Sequence, residues 1–94
     1  MRMAGRVAAA IEVLNEVFTQ HRPASEALKD WGKAHRFAGS TDRHAIGTLV
    51  YDSLRQRLSA GVQGGGDQAR QIVFGMLRGN WNMPPEDIAS LADG

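Results

Sequence analysis

The chain has 94 residues, enough for one domain or part of one, and its hydrophobic content of 43% allows a small core. It has no cysteine, which excludes disulfides, thiolate metal sites and cysteine nucleophiles and fits a reducing compartment. The net charge of +1 favours no partner class, but residues 1–60 carry nine basic and six acidic side chains, residues 61–94 two basic and four acidic. An anionic partner is therefore expected to meet the first two thirds of the chain.

Residues 4–20 predict the first helix. Val7, Ala10, Ile11, Leu14, Val17 and Phe18 recur at helical spacing and share one broad apolar face. Glu12 and Glu16 fall on the other side and interrupt the apolar run, so the N-terminus reads as neither a signal peptide nor a membrane span. The protein is expected in the cytoplasm, with no membrane partner. Arg2 and Arg6 stand one turn apart at the start of this helix, the wrong sign for its dipole. Either they are solvated, or they contact an anion together with the exposed N–H groups of the helix end.

His21-Arg22-Pro23 breaks the helix, because Pro23 disfavours a helical Arg22. Pro23 then opens a second helix that runs to Gly39, with Ala24, Ala27, Leu28, Trp31, Ala34 and Ala38 inward. Glu26, Lys29, Asp30, Lys33 and Arg36 face mostly outward, acids and bases three apart, as a solvated face with weak pairing. Trp31 reads as core. No second ligand is spaced to make a metal site with His35, and His21 and His44 have no catalytic partner.

Residues 40–61 predict the central helix. Ser40 or Thr41 is expected as its N-cap, Asp42 as an anion favoured by the dipole, and Gly61 as its left-handed end. At about 100° per residue, Ile46, Leu49, Val50, Leu54 and Leu58 line one face, and this stripe is expected to be the main seam of the core. Arg43 and Arg57 also fall within the stripe, either snorkelling at the core's edge or reaching a ligand. The glycine-rich stretch 61–67 reads as a connection, since it lacks a P-loop lysine and a preceding strand. Asp67 caps a fourth helix, 68–79, which Ile72, Val73, Phe74, Met76 and Leu77 surround on most sides. Gly75 within it fits a close helix crossing. Pro84-Pro85 start a last short helix, 85–92, with Glu86 and Asp87 at its positive end. No segment alternates as a strand does, so the fold class expected is all-α with five helices.

Three blocks carry a resemblance. The first helix, RVAAAIEVLNEVF, resembles the R-x-A-A-x-x-V-L opening of the N-terminal domain in bacterial ribosomal-RNA cytosine-C5 methyltransferases of the Sun/RsmB type. DRHAIGTLVYDSLR is similar to that family's D-R-x-x-x-x-x-L-V-Y-G-x-L-R, matching at Asp42, Arg43, Leu49, Val50, Tyr51, Leu54 and Arg55 and departing at Asp52, where the family usually has Gly. ARQIVFGMLRGNW is similar to R-x-x-L-x-L-G-x-x-x-L, with Arg70 and Gly75 in register.

The resemblance implies a NusB-like helical domain over residues 1–94, the N-terminal piece of a longer methyltransferase. The S-adenosylmethionine site and the catalytic cysteines of that family belong to a separate C-terminal domain, so this chain is expected to hold no cofactor, no metal and no catalytic residue. Its expected partners are ribosomal RNA and that catalytic domain. The resemblance to NusB, whose first helix meets RNA through arginines at its start, implies RNA contact at Arg2 and Arg6. Lys29 and Lys33 are expected as secondary contacts, ranked lower because of the acids near them. The alternative reading is a NusB-type protein–protein and RNA module of transcription antitermination, with no enzyme part.

Overall fold

The computed structural model describes residues 2–57 and 69–93. These form five helices and, among the described residues, no strand: α1 (Met3–Gln20), α2 (Ala24–Ala34), α3 (Ser40–Arg55), α4 (Ala69–Gly79) and α5 (Pro85–Asp93). The fold is an all-α bundle. Leu58, Gly61, the 61–67 stretch and the Asp67 cap lie outside the described residues.

The expected packing of α3 against both α1 and α4 is found, and the apolar stripe of α3 buries Ile46, Leu49 and Val50 with Leu54 beside them. The centre of the bundle is nevertheless α1. It touches all four other helices, whereas α3 meets α1, α2 and α4 but not α5. The reason is the width of its apolar face. Val7, Ala9, Ala10, Val13 and Leu14 are buried and Met3, Ile11, Val17 and Phe18 pack beside them, while the small Ala9 and Ala10 leave room for neighbours. α4 is buried as its sequence demands, through Ile72, Val73, Gly75, Met76 and Leu77.

Helix ends differ from expectation in four places. α3 stops at Arg55, with Gln56 as its C-cap, instead of running on to Gly61. α3 is capped by Gly39, which has no side chain to offer, so Ser40 and Thr41 lie inside the first turn and neither caps it. Pro23 is the residue before α2 rather than its first, and its carbonyl accepts from the N–H groups of Glu26 and Ala27 at 3.1 Å. α2 also stops at Ala34, four residues short. His35 leaves helical geometry at φ −123° and ψ 64°, with its backbone N–H and its Nδ1 each 2.9 Å from the Trp31 carbonyl oxygen. A carbonyl only accepts, so Nδ1 is the donor in this contact. Ala34 is consequently exposed, while Ala38 returns to the core through the turn that follows.

α1 ends as expected before Pro23, with His21 in the left-handed region at φ 53°. Arg22 then joins the end of α1 to α2: its Nη1 donates to Glu16 at 2.6 Å and its Nη2 to Asp30. Ser53 is the one buried polar side chain of the described core, and its Oγ has no hydrogen-bond partner among the described residues. Leaving such a group unsatisfied costs about 1–3 kcal/mol.

Candidate nucleic-acid interface

α2 and α3 enclose a cleft of about 510 Å³. Leu28, Trp31 and Ile46 make its apolar wall, and Lys29, Lys33, Arg36 and Arg43 line it with four positive charges and no carboxylate. Lys29 and Lys33 come from one face of α2, Arg36 from the turn that follows it, and Arg43 from the start of α3. Gly32 of α2 lies under the Arg43 side chain of α3. A Cβ at that position would lie 3.3 Å from Cδ of Arg43, so the arginine stem runs tightly over the glycine.

The acids near this cleft are committed elsewhere. Asp30 faces Arg22, whose hydrogen bond holds its carboxyl below the usual range, with Lys33 and Lys29 adding a weaker pull. Among the described residues, no carboxylate comes within ion-pair distance of Lys29, Lys33, Arg36 or Arg43. The weak pairing expected along the outer face of α2 is therefore not formed at Lys29 and Lys33.

The two arginines of the N-terminus behave differently from each other. Arg2 is exposed. Arg6 is half-buried and donates through Nε and Nη2 to Oδ1 of Asp42, at 3.0 and 2.8 Å. This bond ties the start of α1 to the first turn of α3, so Asp42 acts as a fastening between helices as well as an anion at a helix N-terminus. The Arg6 hydrogen bond, opposed by partial burial, holds the Asp42 carboxyl below its ordinary value of 3.8. A carboxyl with a depressed folded pKa stabilises the fold above the unfolded value and loses that contribution as pH falls through the folded one. Asp42→Asn is therefore expected to lower the chemical-denaturation midpoint at pH 7, with the gap to the parent closing below about pH 4. A gap that stays constant from pH 7 to pH 2 would assign the loss to something other than the Arg6 bond.

Arg57, the other cation of the apolar stripe, stands 4.6 Å over the Phe18 ring, and Arg70 stands 5.1 Å over Phe74. Both are thus used within the bundle. Trp31 is core, as its spacing predicts, but its indole Nε1 also donates to Glu12 at 3.1 Å and its ring stacks on His35 at 4.3 Å. Asp52, the departure from the family pattern, accepts from Trp81 Nε1 at 3.1 Å and so binds α3 to the segment after α4.

Of the four basic residues expected at an interface, the structure brings Lys29 and Lys33 into one cleft, pairs Arg6 with Asp42 and leaves Arg2 exposed outside the cleft lining. The sequence reading placed Arg36 on a solvated face and left Arg43 open between two roles. The i, i+4 spacing of Lys29 and Lys33 was the available signal, whereas Arg36 reaches the cleft from the turn after α2, which helical spacing does not describe. Phe37 was missed because nothing in its spacing marks it, yet it is 75% exposed.

Among the described residues no group of His, Asp and Glu could hold a metal ion, and no helix is long and apolar enough to cross a membrane. The molecule is an all-helical bundle with a cationic cleft between its second and third helices. No family model, no curated protein and no solved structure matches the chain.

Proposed function

We propose that this domain binds RNA through the α2–α3 cleft, as the non-catalytic N-terminal module of a ribosomal-RNA cytosine-C5 methyltransferase. The observation that carries RNA binding is the cleft itself: four cations without a carboxylate suit the phosphate backbone, which dominates nucleic-acid affinity. The attribution to the methyltransferase family rests on the three sequence blocks. Two of them are joined physically, since Arg6 of the first bonds Asp42 of the second. S-adenosylmethionine and the catalytic cysteines then belong to a separate catalytic domain, and that domain is a further partner. The exposed Tyr51 and Trp81, on the side of α3 away from the cleft wall at Ile46, favour docking onto such a domain as a second role.

The roles of the basic residues change in rank. Lys29, Lys33, Arg36 and Arg43 are the principal phosphate contacts, Arg2 is an outlying one, and Arg6 serves mainly to hold α3. The test is a titration with a ribosomal-RNA hairpin over a range of salt. Each lost phosphate contact should flatten the log–log salt slope by about 0.7–0.9. The Lys33→Ala, Arg36→Ala double variant is expected to lose close to two contacts, while Arg2→Ala loses at most one. A double variant that binds with the parent's slope would contradict the cleft. Absence of binding by the parent at low salt would move the domain to the docking role.

A further inference from the structure

Phe37 is the most exposed large apolar side chain of the described residues, at 75%. It follows Arg36 directly and sits in the turn that ends α2. Its ring stands edge to face with two others, 6.5 Å from Trp31 at 67° and 5.8 Å from His35 at 76°. Trp31 and His35 are themselves stacked nearly parallel, at 11°. The three rings therefore form one braced cluster, and the outermost presents an open face to solvent. Trp31 and His35 line the groove on the other side of α2, and Trp31 also forms the wall of the cationic cleft, so the cluster stands at the border of the two, joined to the cleft through Trp31 and the adjacent Arg36.

Such an arrangement fits neither of the ordinary uses of a phenylalanine. It contributes little to the core, and water is left against an apolar ring. Base pairs in a duplex are also stacked on one another and offer no free face. An unpaired base does, and an aromatic ring beside cations that track phosphates is the usual means of holding one.

We propose that the cleft and Phe37 together bind single-stranded RNA, one unpaired base stacking on Phe37 while the flanking phosphates meet Arg36 and Lys33. The inference rests on the RNA-binding reading of the cleft. His35 and Trp31 brace the ring, so little freedom is lost when the base arrives. The turn that ends α2 at Ala34 is what makes the site: a helix continued to Gly39 would carry Phe37 away from the Trp31–His35 pair.

The experiment is a fluorescence-anisotropy titration of the domain with a short unstructured RNA and with a blunt-ended RNA duplex of the same length, at one low salt concentration. The parent is expected to prefer the unstructured strand. Phe37→Ala should weaken that strand roughly 5- to 150-fold, the range of one lost base stack, and leave the duplex unchanged. Phe37→Trp, which keeps a ring, should retain the preference. Because the side chain is exposed, the variants should fold as the parent does, and circular dichroism checks this. If both RNAs bind equally and Phe37→Ala changes neither, the stacking site is wrong while the cationic cleft stands. If Lys33→Ala, Arg36→Ala also fails to weaken binding, the cleft is wrong as well. Binding of neither RNA by the parent overturns both.

Discussion

Leu49→Ala is expected to destabilise the bundle by about 2–5 kcal/mol. Leu49 is only 1% exposed and lies on the α3 face that packs on α1 and α4. Its neighbours on that face, Ile46 and Val50, are fully buried and come from the same helix, so they cannot shift into the vacated space without moving α3 as a whole. The cavity therefore persists, and its cost adds to the lost transfer energy. Small domains are stable by only about 5–15 kcal/mol in total. The variant should consequently be partly unfolded at room temperature or show a much lower thermal midpoint. Equal midpoints for variant and parent would mean that α3 does not form the seam described above.

The second large effect is expected at Trp31. Trp31→Ala should cost about 3–5 kcal/mol, because this one side chain serves three purposes. It fills the space between α1 and α2, donates its indole N–H to Glu12, and carries the His35 ring. Trp31→Phe separates these in part: it keeps an apolar ring for His35 to stack on, and removes the hydrogen bond and the volume of one fused ring. Urea denaturation should rank the parent first, Trp31→Phe second and Trp31→Ala well below. Near-equal stability of Trp31→Ala and the parent would show that α2 is held to the bundle by other means.

The helices of this protein were legible because their apolar residues repeat at helical spacing. The stripe from Ile46 to Leu54 and the nearly continuous apolar surface of α4 each foretold burial that the structure bears out. What periodicity could not foretell was which helix the others share. The apolar stripe of α3 marks a seam of the core, yet α1 is central, because alanines that look unremarkable in a pattern permit close approach from several directions. Helix ends were harder still. A cap is decided by single torsions, and at Gly39 and His35 the chain turned one residue earlier and four residues earlier than the local signals allowed.

The candidate interface was half legible for a related reason. Charge can be counted in a sequence, but whether a charge is spent cannot. Arg6 and Lys33 look alike on the page of residues. Only the fold reveals that Asp42, thirty-six positions away, engages the first, while Asp30, three positions away, turns to Arg22 and releases the second. Arg43 illustrates the same point in reverse. Its position within an apolar stripe is unfavourable until Gly32 of the neighbouring helix provides a groove for its stem.

The central claim is that the α2–α3 cleft is where RNA binds. Two-dimensional nitrogen–proton NMR of the labelled domain, titrated with a short single-stranded RNA, tests it most directly. Backbone amides from Lys29 to Phe37, with Arg43, are expected to shift progressively, while amides of α4 and α5 stay in place. Shifts confined to α4 and α5, or to Glu12, Asn15, Glu16 and Thr19 on the α1 side of the opposite groove, would contradict the account.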